Sequence, residues 1–330
     1  MKKCSNTDAS ILANQRCSKC DSYEVVYCNK TAGKEENLCT MCFTRFIEEK
    51  FISCVDKYSL IADGDIIGVG VSGGKDSQFL LHLLQKYQLV KSFHIKCFMV
   101  DEGIKDYKEK GIGIIKEYTQ ENNLQLFTTT MKSEYGYDVD EFVGKYYEMY
   151  SKPFRVCSIC DTIRINIVRK MAMCESCNKL ALGINLDDHM VAFFDSMQSK
   201  GIDDKLCVVS AKNCLVVSDL LHISPISLIT DKEIHIYNKV NKIPYQYEPP
   251  CPYADSCLDE RYREIICDLE ELVPEYRMNA WNSIQTLNMR LAVNTQSWNK
   301  CIICGVSHKN ESDICLDCER YSELRTMTGI

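Results

Sequence analysis

The sequence predicts an α/β fold in which a doubly wound parallel sheet is flanked by small cysteine-rich modules at its N- and C-termini. Three features of the 330-residue chain support this prediction: apolar runs alternate with amphipathic stretches, a glycine-rich turn follows the first of those runs, and paired cysteines are concentrated at both ends. Strands separated by helices of about 10–15 residues form βαβ units, which build a parallel sheet with helices on both faces.

The apolar pattern places the elements of the sheet in order. The predicted strands cover residues 65–71, 95–100, 126–130 and 179–182. Amphipathic segments after the first, second and fourth strands predict helices over residues 78–84, up to about residue 122, and from residue 186 onwards. Ligands of such sheets bind at the carboxyl ends of the strands, so we expect the functional residues there.

We divide the chain into four regions on the same pattern. Residues 1–45 form an N-terminal Cys₄ module, 46–62 a helical linker, 63–290 the α/β domain and 291–330 a C-terminal Cys₄ module. Apolar residues of the linker recur at roughly helical spacing. The terminal modules are too small and polar to have a hydrophobic core, so we expect a metal ion to hold each of them together.

Composition limits the class of protein. The first twenty residues lack the apolar stretch of a signal peptide, and no run is apolar enough to span a membrane, so we expect a cytoplasmic protein without a membrane partner. The net charge of −7 disfavours a dedicated nucleic-acid binder, because neutralising phosphates drives the affinity of such proteins. Whole-chain charge does not show whether basic residues share one face.

The cysteine pattern predicts two structural zinc ions. Because the cytosol keeps thiols reduced, 21 cysteines at paired spacing indicate metal ligands rather than disulfides. Each end of the chain has a set with the spacing of tetrahedral zinc: Cys17, Cys20, Cys39 and Cys42, and then Cys301, Cys304, Cys315 and Cys318. Cys54, Cys97, Cys207 and Cys267 lie in apolar stretches and are predicted to be small buried side chains.

The glycine-rich turn predicts a phosphate site. It consists of Ser72, Gly73, Gly74, Lys75, Asp76 and Ser77, between an apolar strand and an apolar helix. The glycines let the backbone approach an anion, towards which the following helix directs its N–H groups. Lys75 adds a positive charge, and Asp76 can hold Mg²⁺ or position a reacting group. The spacing differs from that of the Walker loop.

Three further cysteines predict a sulfur or cluster site. Cys157 and Cys160 form a C-x-x-C pair before a basic helix, and Cys251 lies far downstream in the segment Pro249-Pro-Cys-Pro-Tyr253. Three thiolates from two segments suit a [4Fe–4S] cluster with one iron free of protein ligands. A redox pair or half of a zinc site also fits the C-x-x-C pair alone.

Taken together, these motifs resemble the PP-loop ATPase superfamily, and within it the tRNA 2-thiolation enzymes of the TtuA type. The resemblance covers nearly the whole chain. Besides SGGKDS and C-x-x-C, it includes Gly183-Ile-Asn-Leu-Asp-Asp188, Ser224-Pro-Ile, Asp231-Lys-Glu233, Ile243-Pro-Tyr245 and Cys251-Pro-Tyr253. It implies a PP-loop, Rossmann-like domain that uses ATP and Mg²⁺ and releases AMP and pyrophosphate.

The resemblance also implies residue roles. Cys157, Cys160 and Cys251 would ligate a [4Fe–4S] cluster, while Asp76, Arg164, Asp187 and Asp188 would serve ATP, magnesium and catalysis, with Asp101 and Gly183 at the nucleotide. The activity implied is that of a tRNA uridine 2-sulfurtransferase, in which ATP adenylylates the uridine 2-oxygen and cluster-borne sulfide displaces AMP. The sulfur would come from a ubiquitin-like thiocarboxylate protein or free sulfide. Members of the family often form homodimers.

Three departures from the family pattern leave the acceptor open. Arg164 stands where these enzymes usually have lysine, Ile184 replaces a usual histidine, and Cys174-x-x-Cys177 is additional. Arginine binds phosphate well but does not exchange protons near neutral pH. One alternative is a PP-loop enzyme that thiolates or amidates a small molecule, which would be active without RNA. Another is a non-catalytic zinc and nucleotide-binding protein, which would bind ATP without releasing AMP.

Overall fold

The computed structural model describes the larger part of the chain. The described residues are 15–20, 22–31, 33–150, 156–197, 209–212, 220–247, 251–254, 259–292, 299–302, 307–308, 312–314, 318–319 and 322. In the described part of the chain, none of the helices is both long enough and apolar enough to cross a membrane.

The N-terminal module is a hairpin joined directly to a long helix. Strands β1 (Val25–Thr31) and β2 (Lys34–Cys39) pair in antiparallel fashion, and helix α1 (Thr40–Lys57) follows without a loop. The helix predicted over residues 46–62 therefore exists, but it begins and ends earlier in the chain. Its buried side is apolar and consists of Phe43, Ile47, Phe51, Cys54 and Val55.

A parallel sheet forms the centre of the protein, as predicted, and it has a fifth strand besides the four predicted ones. The strands are β3 (Ile66–Gly70), β4 (His94–Asp101), β5 (Gln125–Thr130), β6 (Lys179–Ala181) and β7 (Leu221–Ile223). Their order is β5-β4-β3-β6-β7, and every pairing is parallel. The chain leaves β3 towards one edge and later returns to β6 on its other side. This reversal opens the crevice in which doubly wound folds bind ligands.

Helices cover both faces of this sheet. They are α2 (Lys75–Tyr87), α3 (Glu109–Glu121), α4 (Met131–Tyr135), α5 (Val139–Tyr150), α6 (Val156–Cys174), α7 (Leu186–Met197), α8 (Asp231–Val240), α9 (Asp259–Leu272) and α10 (Tyr276–Ala292). Two separate apolar clusters result, one including Leu80, Tyr237 and Trp281 and the other including Phe98 and Ile163. Two short strands, β8 (Asn299–Lys300) and β9 (Ser307–His308), pair near the C-terminus.

The four cysteines predicted to be buried side chains differ in their structural environment. Cys54 and Cys97 are fully buried in the core, which confirms the prediction for them. For Cys267 the prediction is wrong: it is half-buried and disulfide-bonded, and its sulfur accepts a hydrogen bond from Arg277 (3.2 Å). Cys207 lies outside the described residues.

Candidate active site

The phosphate loop connects β3 to α2 and is closed by its own serines. The hydroxyls of Ser72 and Ser77 lie 3.2 Å apart, and Ser77 also donates to the carbonyl of Gly74 (3.1 Å). The backbone N–H of Gly74 donates to the Ser72 hydroxyl (3.2 Å). Gly74 is the N-cap of α2, so the helix directs its unpaired N–H groups and positive dipole at this turn.

Glycine is required in the loop because other backbone segments approach it closely. Gly73 has a φ of +79°, and a Cβ there would lie 2.5 Å from the Cα of Gly111. Gly183, which follows β6, packs on the start of α2, where a Cβ would lie 3.1 Å from the backbone N of Ser77. The predicted nucleotide role of Gly183 stays a prediction; a side chain there would require the backbone at the start of α2 to shift by a few tenths of an ångström.

Charged side chains gather beside the loop. The ammonium of Lys75 contacts the carboxylates of Asp76 (2.8 Å) and Asp231 (2.6 Å). Asp188 pairs with Arg263 of α9, whose guanidinium also lies 3.8 Å from Asp231. Three carboxylates thus share two cations, which leaves an excess of negative charge.

This arrangement of charges affects the pKa of Asp76. Burial, together with the neighbouring charges of Asp188 and Asp231, raises the pKa of Asp76 even though Lys75 pairs with it. An added divalent cation would relieve the repulsion, and carboxylate oxygens are the ligands that Mg²⁺ prefers. Asp76 and Asp188 therefore fit a magnesium site.

Asp187 and Asp188 open α7 but differ in their surroundings. Asp188 forms a reciprocal cap with Asn185, whose side-chain amide also donates to Asp76 (3.0 Å). Asp187 is only 4% exposed; its carboxylate pairs with Arg277 (2.6 Å) and accepts the backbone N–H of Asp231 (2.8 Å). These contacts fit a supporting role for Asp187, whereas the catalytic role predicted for it stays a prediction.

A cavity of about 320 Å³ adjoins the phosphate loop, and the three predicted cluster cysteines line it. Ser72 and Gly74 of the loop form part of the same wall. Burial raises the pKa of the Cys160 thiol to about 12 and also raises that of Cys251. Buried thiols of this kind are neutral at ordinary pH unless a metal binds them as thiolates.

A buried ionic cluster forms another wall of the cavity. Glu102, 2% exposed, pairs with Lys108 (2.8 Å) and with Arg164 (3.3 Å), and all three side chains line the cavity. Arg164 also pairs with Asp161. Asp101 accepts the backbone N–H of Gly103 (2.9 Å), and the nucleotide contact predicted for it stays a prediction; Glu102 beside it lines the cavity.

The N-terminal cysteines have the geometry of a metal site. The sulfurs of Cys17, Cys20, Cys39 and Cys42 all lie within 4.8 Å of one another. Cys39 and Cys42 are held by the junction of β2 with α1, and this chain segment fixes their separation. At the C-terminus Cys301 and Cys318 are buried together, while Cys304 and Cys315 lie outside the described residues. Cys174 is exposed and Cys177 is buried in the core.

Several residues of the site were not found from sequence. Glu102, Lys108, Arg263 and Gln246 carry no motif of their own, and none was predicted to contribute. The segment Asp231-Lys-Glu233 was noted only as part of the family resemblance, although Asp231 contacts Lys75 directly. The acidic residue that directly follows the end of β4 was a usable signal for Glu102, since functional residues are expected at strand ends.

Comparison with known proteins gives concordant matches. A family model described as a PP-loop domain matches residues 45–249. A probable sulfurtransferase of Methanocaldococcus jannaschii is 30% identical over 303 residues, which cover 92% of this chain and 86% of that protein. Cytoplasmic tRNA 2-thiolation protein 1 of Danio rerio is 25% identical over 312 residues, with coverage of 92% and 86%.

A solved structure has the same fold. The U34-tRNA thiolase NcsA from Methanococcus maripaludis, determined with its [4Fe–4S] cluster, superposes with a TM-score of 0.75 at 24% identity. The match covers 94% of this chain and 96% of that one.

Proposed function

Because this chain belongs to the PP-loop domain family, we propose that it is an ATP-dependent tRNA uridine 2-sulfurtransferase. One observation carries the proposal: the phosphate loop and three thiols from distant segments line a single cavity. A reaction that joins ATP chemistry to sulfur transfer needs both groups within reach of one acceptor atom. The relatives named for tRNA thiolation support the choice of acceptor.

Oxygen at C2 of uridine is a poor leaving group, and adenylylation converts it into a good one. The 2-oxygen attacks the α-phosphorus of ATP, pyrophosphate leaves, and N3 of the base gives up its proton. The loop N–H groups and Lys75 bind the phosphates, and Asp76 with Asp188 holds Mg²⁺. These groups lower the barrier because they stabilise the negative charge on the departing pyrophosphate.

Sulfide then attacks C2, AMP departs with the former 2-oxygen, and N3 regains a proton. Cys157, Cys160 and Cys251 fit a [4Fe–4S] cluster, since they are three half-buried thiols that line one cavity. Such a cluster would supply an iron without a protein ligand, which could carry the attacking sulfide. Arg164, which is always charged, stabilises the phosphate of the departing AMP.

We further propose that each Cys₄ set binds one structural zinc ion. For the N-terminal set, the mutual approach of four sulfurs supports a closed tetrahedral site. The sulfur donor would be a ubiquitin-like thiocarboxylate protein or free sulfide, and we expect the enzyme to act in the cytoplasm and to form a homodimer.

The test is an anaerobic reaction of the reconstituted protein with unmodified tRNA, ATP, Mg²⁺ and sulfide. We expect 2-thiouridine in the nucleoside digest together with AMP and pyrophosphate. Cys251→Ala is expected to lose the visible absorption of the cluster and the 2-thiouridine. Cys174→Ala is the matched control, because Cys174 is exposed and lies outside the cavity lining. Its activity is expected to equal that of the wild type.

Three outcomes would contradict the proposal in whole or in part. Release of AMP at the full rate without RNA would indicate a small-molecule acceptor. Binding of ATP without release of AMP would indicate a non-catalytic nucleotide-binding protein. Retention of full activity in Cys251→Ala would refute the role of the three thiols while leaving the use of ATP intact.

A further inference from the structure

Hydrogen bonds hold residues 244–247 against the phosphate loop. The backbone N–H of Gln246 donates to the carbonyl of Gly73 (2.8 Å), and its side-chain amide donates to the carbonyl of Tyr107 (2.6 Å). The side chain of Gln78 donates to the carbonyl of Pro244 (2.9 Å). These bonds fix the backbone on both sides of residue 245, so the contacts with the loop, α2 and Tyr107 determine where residue 247 lies.

That position places an exposed aromatic ring at the cavity. Tyr247 lines the cavity and is 66% exposed. Its ring centroid lies 6.4 Å from that of His235 and 6.5 Å from that of Tyr245, contacts that restrict the ring without burying it. A large, restricted and accessible ring at the wall of a cavity offers contact area to a ligand at little entropic cost.

The other tyrosines of the cavity are less available. Tyr107 and Tyr253 are both half-buried. The hydroxyl of Tyr253 donates to Asp140 of α5 (2.7 Å), which ties this ring to the wall. Tyr247 is therefore the tyrosine of the cavity lining with most of its surface open.

The chemistry of thiolation dictates how a uracil must enter. Its 2-oxygen must reach the phosphates held by the loop, and its C2 must face the thiol side of the same cavity. The edge of the base that carries the 2-oxygen therefore points into the cavity, and the two faces of the ring lie against the side walls of the cavity. A base that is extruded from the RNA loses the stacking contacts with its neighbouring bases. An aromatic side chain that packs against one face of the extruded base replaces these contacts.

From these observations we infer that the target uracil stacks on the ring of Tyr247. In this position, the edge of the uracil that carries the 2-oxygen faces the phosphate loop and the three thiols. The inference rests on the proposed function for the identity of the acceptor. It adds a base-binding subsite and a residue that determines RNA affinity rather than ATP affinity.

The first test compares two substitutions that keep apolar bulk. Tyr247→Phe preserves the aromatic face and is expected to leave the KM for tRNA close to that of the wild type. Tyr247→Leu removes the face and is expected to raise this KM by roughly 5- to 150-fold, the range for stacking on one base. The affinity for ATP, measured calorimetrically without RNA, is expected to be the same in all three proteins.

Two results would overturn the inference. One is an equal KM for tRNA in the phenylalanine and leucine variants, which would make the aromatic face irrelevant. The other is weakened ATP binding in the leucine variant, because the ring would then contact the adenine instead of the uracil.

A second measurement does not depend on sulfur transfer. In Tyr247→Trp, the added indole is expected to be quenched by tRNA beyond any change seen for the wild-type protein, as stacking on a base requires. No additional quenching would refute the stacked geometry. If the wild type binds tRNA but forms no 2-thiouridine, the proposed function fails, and this fluorescence readout still decides the role of Tyr247.

Discussion

Replacement of Glu102 by glutamine is expected to destabilise the protein by about 3–5 kcal/mol, the cost of breaking a buried ion pair on one side. The side chains of Lys108 and Glu102 are 7% and 2% exposed, and their charged atoms lie 2.8 Å apart. Glutamine keeps the shape of glutamate but removes its charge. The ammonium of Lys108 would then be buried without a compensating anion, and Arg164 would lose one of its two partners.

The matched control is Glu134→Gln. Glu134 pairs with Lys170 at the same 2.8 Å, but these side chains are 24% and 70% exposed. An exposed pair contributes about 0–1 kcal/mol, because water solvates the partner that remains. Urea denaturation followed by circular dichroism measures both free energies of unfolding. Since the two pairs have the same separation, a difference between the variants reports the burial of the charges.

A double-mutant cycle completes the experiment. In Glu102→Gln/Lys108→Met both buried charges are gone, so we expect this protein to lose much less stability than the sum of the two single variants. Additive losses would refute the ionic coupling between Glu102 and Lys108. Equal stability of Glu102→Gln and Glu134→Gln would refute the claim that burial makes the cavity pair costly to break.

Two further predictions concern the loop and the contact between α1 and α8. Gly73→Ala and Gly136→Ala both place alanine at positive φ (+79° and +88°), which costs about 1–2 kcal/mol, but only at Gly73 would the Cβ meet backbone, that of Gly111 at 2.5 Å. We expect only Gly73→Ala to abolish ATP binding in a calorimetric titration; equal binding by both would contradict the close approach. Burial acts to raise the pKa of Glu233, but the ammonium of Lys50 outweighs it and holds that pKa below its usual value. The stability that Glu233 adds is therefore present above its unfolded pKa of about 4.3 and lost below it. Urea melts of wild type and Glu233→Gln should converge as the pH falls; a constant gap would contradict this.

The fold was predictable because its signals are local. Each strand from β3 to β6 has its own apolar run, and the helices after β3, β4 and β6 each have an amphipathic period, so no knowledge of distant contacts was needed. Strand β7 was missed: it is as short as β6, but His222 lies at its centre, whereas β6 leads into the apolar run Leu180–Leu182. The helix predicted over residues 46–62 lies earlier in the chain than predicted, because α1 starts directly after Cys39, where the chain leaves the hairpin.

The sequence by itself determined the parallel α/β sheet, the phosphate loop at the end of β3 and the two cysteine-rich ends, since glycine turns, apolar periods and C-x-x-C pairs are properties of short segments. Only the tertiary structure decided which charges meet. Glu102 and Arg164 are 62 residues apart, and Lys75 and Asp231 are 156 apart. The order of the strands and the packing of helices on the sheet determine which of these residues pair, so the pairs cannot be predicted from their spacing in the sequence. The same holds for Tyr247, whose place at the cavity follows from the hydrogen bonds that fasten its segment to the phosphate loop.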